Sequence, residues 1–193
     1  MEKIPTDDLL QGALEIMQQA GKPLSKKKGR LYEMPNKQTV KVLTSNDRKL
    51  HANADSPDED AKLNIDGVDW VLISMPKVAR TPGEIEGYLI PASEASDAAR
   101  RAHQEWKATS LSTEGNTTWI LHFDNSPEAW PEGWRGYAQK WKKYLLSGAV
   151  SVGPEKKGKA TGLRAEVESA KERISKAAGV PSEAVHISID FTS

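Results

Sequence analysis

VDWVLISMP, residues 68–76, and EGYLIPASEASDAARRAHQEW, residues 86–106, decide the fold class. Val68 to Met75 is apolar on both faces, the pattern of a strand in the middle of a sheet. KVARTPGE supplies a loop, and Gly87 to Ile90 reads as the next strand. Pro91-Ala92-Ser93 then starts a helix with Ala95, Ala99, Ala102 and Trp106 on one stripe. Arg100, Arg101 and Lys107 lie away from that stripe. Strand, loop, strand and amphipathic helix predict an α+β (or α/β) domain, a small mixed sheet flanked by helices.

Working outward, Leu9, Leu10, Ala13, Leu14, Ile16, Met17 and Ala20 fall on a helical repeat, with Thr6 as cap and Gly21 and Pro23 as stop. KPLSKKKGRLYEMPN (22–36) is basic and turn-prone. Gln38 to Thr44 alternates like a strand, and Pro35-Asn36 suggests a hairpin with Leu31-Tyr32. Asn53 to Gly67 reads as an exposed acidic loop, Thr117 to Phe123 as a strand. Gly133 to Leu146 reads as a helix with Trp134, Tyr137, Trp141 and Tyr144 toward one side. Ser147 to Gly162 has the composition of a flexible linker. Beyond it, Leu163, Val167, Ala170 and Ile174 make a helical stripe, and Val185, Ile187, Ile189 and Phe191 alternate with His186, Ser188 and Asp190. The expected organisation is an N-terminal helix and basic turn (1–28), a core (29–146), a linker (147–161) and a C-terminal helix–strand unit (162–193).

Composition narrows the function classes. The 193 residues contain no cysteine, which excludes disulfides, thiolate metal sites and cysteine nucleophiles. Net charge is zero, so attraction to nucleic acid or membrane must come from a local patch. The N-terminus lacks the basic start and apolar run of a signal peptide, and no apolar stretch approaches the ~20 residues that span a bilayer. A soluble, cytoplasmic protein without membrane contact is expected.

Five features can carry chemistry. Lys22, Lys26, Lys27, Lys28, Arg30, Lys37, Lys41, Arg48 and Lys49 face only Glu33 and Asp47 in the sequence. Such a cluster binds phosphates through counterion release, with Tyr32 available to stack on a base; the alternative is a solvated loop. Asp55, Asp58, Glu59, Asp60, Asp66 and Asp69 offer oxygen ligands to a hard cation, without the spacing of an EF-hand loop. Asp69 begins one strand, and Glu84 and Glu86 begin the next. Acids at adjacent strand ends can hold a divalent metal such as magnesium for phosphodiester hydrolysis. His51, His103, His122 and His186 show no metal-ligand spacing. Trp119, Trp130, Trp134 and Trp141 crowd together, Trp130 in an exposed loop and Trp119 and Trp141 filling core. Gly-rich phosphate loops are absent.

VDWVLISMP and YLIPASEASDAARRAHQEW, in the order helix, three strands, helix, strand, final helix, resemble the restriction-endonuclease-like core, the PD-(D/E)XK superfamily. The resemblance covers about residues 31–146. It implies a metal site of an acid on one strand and acid-x-Lys on the next, and the chain departs from that pattern. Lys41 and Leu43 stand where one alignment places the acid and the lysine. In the other, Asp69 joins Glu84-Ile85-Glu86, again without lysine. The expectation is therefore a non-enzymatic nucleic-acid-binding protein with no cofactor, holding its ligand through Lys26, Lys27, Lys28, Arg30, Tyr32, Lys41, Arg48 and Lys49. A second reading is a protein–protein adaptor or homo-oligomer using Trp130 and the tail strand with His186, Ile187 and Ile189. A third is a magnesium-dependent nuclease using Asp69, Glu84 and Glu86.

Overall fold

Trp70–Pro76 is a central strand, as its two apolar faces predict. The computed structural model describes residues 3–109, 115–125, 131–146, 150–152, 170–171, 173–176, 181 and 185–187. The chain divides into two units, residues 1–153 and 154–193. The first contains helix α1 (Thr6–Gln19) and strands β1 (Ser25–Lys28), β2 (Leu31–Glu33), β3 (Thr39–Thr44), β4 (Lys49–Asn53), β5 (Trp70–Pro76) and β6 (Gly83–Pro91). Helix α2 (Ala92–Thr109), strand β7 (Thr118–His122), the short helix α3 (Tyr137–Lys140) and strand β8 (Val150–Val152) follow. In the second unit, residues 170–171 and 173–176 are helical.

The main sheet has six strands in the order β1-β2-β3-β5-β6-β8, and β4 and β7 pair separately. It is mixed: β3 and β5 run parallel, and its other neighbours are antiparallel. Alternation along the strands sends side chains to two cores. Val40, Val42, Leu72 and Leu89 meet Ala13 and Met17 of α1, and Ile85, Val150 and Val152 meet Ile4, Leu9 and Ile16. Val71, Ile73, Met75, Tyr88 and Ile90 face the other way, onto Leu50, Ala52, Ala95, Ala99, Trp119 and Leu121. The β4–β7 pair and α2 therefore form a second layer, so α+β is the architecture.

Several elements differ from expectation. The basic turn contains β1, whose four residues are all exposed at the sheet edge. Lysine suits such an edge because its charge discourages pairing with another chain. The acidic loop is anchored: Ala61, Leu63 and Ile65 are buried, and their apolar contacts outweigh the flanking acids. The expected helix over 133–146 is broken by Gly136, at φ 74°. Trp134 Nε1 donates to the Ala102 carbonyl at 2.6 Å and Trp141 Nε1 to Glu94 at 3.0 Å, so the broken chain lies along α2. The expected linker contains β8, which pairs with β6; residues 147–149 and 153–162 lie outside the described residues.

Gly12 marks the closest approach of α1 to the sheet. A Cβ there would intrude on Ile85 Cδ1 and stand 3.2 Å from Val152 Cγ1. Glycine to alanine inside a helix ordinarily stabilises by about 1 kcal/mol. Here Gly12→Ala is expected to destabilise by about 1–2 kcal/mol in urea unfolding, through overpacking. In an Ile85→Val background, which removes Cδ1, the same substitution should become neutral or stabilising.

Candidate nucleic-acid interface

The edge ribbon of β1 and β2 gathers most of the predicted cations. From Lys22 to Lys41 the chain carries seven lysines and arginines against one acid, Glu33. The rows of the sheet set their positions. Lys26 stands opposite Tyr32, and Lys28 opposite Leu31, which stands opposite Lys41. A bulge between Lys26 and Lys28 shifts the register there. Lys27 and Lys37 reach the two oxygens of Glu33 at 2.7 and 3.3 Å, and their hydrogen bonds hold its carboxyl below the usual carboxylate range. Lys22, Lys26, Lys28, Arg30 and Lys41 have no ion pair among the described residues. Tyr32 departs from expectation: it is 3% exposed, under α1, and is closed to a base. Alternation decides this, since a residue opposite Val40 must face the same core.

Arg48 and Lys49 lie elsewhere. Lys49 starts β4 in the second layer, opposite His122. Arg48, at the corner between β3 and β4, is buried and adopts φ 52°. Its Nε donates to Asp124 at 2.8 Å, and its Nη1 to Glu86 and to the Pro76 carbonyl, both at 2.8 Å. Tyr88 Oη donates to the same Glu86 carboxylate at 3.3 Å. The guanidinium thus joins the ends of β5, β6 and β7. Expected as a phosphate contact, it is an internal staple, because a buried guanidinium is held by carboxylates that compensate its desolvation.

The three carboxylates expected at one metal site are not together. β5 and β6 form an antiparallel hairpin in which Trp70 faces Pro91 and Pro76 faces Ile85. Their starting residues lie at opposite ends, so Asp69 is separated from Glu84 by roughly 20 Å of strand. Asp69 Oδ2 accepts from Thr39 N at 2.7 Å and Thr39 Oγ1 at 2.8 Å, tying β5 to β3. These bonds, the backbone one foremost, lower its pKa. Glu84 pairs with Lys77 at 2.7 Å, and Glu86 is held by Arg48. Asp66 of the acidic loop accepts from Ser96, Arg100 and the Leu63 N–H. Among the described residues no group of three histidines or acids could hold a metal ion.

His103 is buried and stacks on Trp119, with ring centroids 4.2 Å apart. His122 is buried beside Trp134; burial foremost, then Lys49 and His51, push its pKa down to about 4, against a smaller pull from Asp124. An open cleft of about 620 Å³ is lined by Asn125, Glu132, Arg135, Gly136, Gln139 and Lys140, and no spacing in the sequence announces it. Trp130 and Ile189 lie outside the described residues; His186 is exposed and Ile187 half-buried.

Removing the staple with Arg48→Ala should cost about 3 kcal/mol in urea unfolding, since it strands Glu86. Lys28→Ala should stay within about 0.5 kcal/mol. His122 is neutral in the fold and charges more readily when unfolded. Its contribution is present above the unfolded pKa near 6.5 and is lost as pH falls toward 4, by at most ~1.4 kcal/mol per pH unit. Urea midpoints measured across that range should fall, and His122→Gln should flatten the profile. No protein-family model matches the chain, and neither a curated protein nor a solved structure matches it.

Proposed function

We propose that the protein is a non-enzymatic nucleic-acid-binding protein that holds the phosphate backbone on the β1–β2–β3 edge. The observation that carries this reading is segregation of charge. A chain of zero net charge places seven cations and one acid within residues 22–41, three of the cations on β1, a strand exposed at every position. Within that stretch Glu33 is the one acid, and Asp69 joins it from β5 at Thr39, so cations outnumber acids along this edge and favour a polyanion. β1 has no apolar residue that would enter a lipid headgroup layer, which favours nucleic acid over a membrane surface. The separation of Asp69 from Glu84 and Glu86 favours binding without cleavage. The endonuclease-like resemblance belongs to the same proposal: a related scaffold on which these acids serve other partners.

The test is fluorescence anisotropy with labelled nucleic acid at about 50 and 200 mM salt. Neutralising about four phosphates gives a log–log slope near −3.6, roughly a 100-fold loss of affinity over that range. Lys28→Ala should reduce the slope by about 0.9 and leave preference among base sequences unchanged, because backbone contacts carry no base code. Absence of binding at the lower salt, or binding to anionic vesicles alone, would overturn the reading.

A further inference from the structure

The cations of the edge ribbon are distributed over both faces of the sheet. Cross-strand partners share a face. Lys26, opposite Tyr32, is therefore on the side covered by α1, and Lys28, in line with Leu31 and Lys41, is on the other. Lys27 reaches Glu33 on that second side. Neither layer extends over β1. Helix α1 lies against β3, β5, β6 and β8, and α2 against β5, β6 and β7. All four β1 residues are exposed. The ribbon is thus a ridge with positive charge on two sides, about 13 Å long at ~3.3 Å per residue.

A flat anionic surface would meet only one side of such a ridge. A groove walled by phosphates would meet both. The major groove of B-form DNA is about 12 Å wide and admits a two-stranded β-ribbon. The major groove of an A-form RNA duplex is too narrow and deep for side chains to enter. Single strands are held mainly by stacking bases on exposed aromatic rings. Among the described residues no tryptophan, tyrosine or phenylalanine is exposed.

We infer that the β1–β2 ribbon enters the major groove of double-helical DNA edge first, Lys26 reaching one phosphate wall and Lys28 and Lys41 the other. The inference rests on the nucleic-acid reading above and names its substrate class.

The test compares labelled DNA duplex, RNA duplex and single-stranded DNA of equal length against the full chain, by anisotropy at about 50 mM salt. The DNA duplex should bind at least ~10-fold tighter than either alternative. Lys26→Glu and Lys28→Glu should each weaken duplex binding about 10-fold, with circular dichroism melts unchanged. Lys26→Gln and Lys28→Gln replace any variant whose melt shifts. Equal affinity for the three nucleic acids would overturn groove entry and leave the basic edge as a general phosphate surface. Loss in only one of the two variants would likewise overturn it, in favour of docking on one face. Binding to none of the three would overturn the nucleic-acid reading itself.

Discussion

The guanidinium of Arg48 is the interaction on which the two-layer arrangement depends. β3 ends in the main sheet and β4 begins in the second layer, so the chain must change layers within residues 45–48. A non-glycine residue at φ 52° makes that corner. Left-handed backbone is unfavourable for an arginine, and surrounding contacts must hold it. The side chain supplies them by bonding to β5, β6 and the end of β7. At the other end of the same strands, Asp69 joins Thr39 of β3 and passes its carbonyl to the N–H of Ala92, which opens α2. The parallel β3–β5 ladder is thereby clamped at both ends.

Local pattern was legible in the sequence wherever one period dominated. The two apolar faces of Val68–Met75, the stripe of α1 and the alanine stripe of α2 each appear where the spacing puts them. Patterns that depend on distant partners were not legible. Leu50 and Ala52 alternate in β4, but the stretch is short and polar and becomes a strand only through β7. Leu63 and Ile65 were hidden among acids. Acids at two strand starts looked like neighbours in one dimension, and the hairpin sends them to opposite ends.

The candidate interface divides along the same line. Lys26, Lys27, Lys28, Arg30 and Lys41 lie near one another because cations dense in sequence stay together on adjacent strands and their turn. Arg48 and Tyr32 turn inward instead, a direction that charge and aromaticity alone do not reveal. The alternation of Val40 and Val42 with Lys41 on the neighbouring strand carries the signal, since Tyr32 stands opposite Val40. The edge lysines discourage a pairing strand from another chain, and the proposed hold on a polyanion would use the same charge. Charge that prevents one association thus leaves the edge free for a different one.

The core beneath α1 has a temporal consequence. Ile4, Leu9 and Ile16 from the start of the first unit close against Val150 and Val152 from its end. During synthesis the helix reaches solvent long before its last apolar neighbours exist, and it must wait on an incomplete sheet. Contacts so distant along the chain slow folding, since a long loop must close before they form. They also bring the two ends of the unit side by side, the arrangement in which a domain tolerates being cut elsewhere and rejoined there. The order in which the ribosome delivers this chain is therefore not the order in which its first core can be completed.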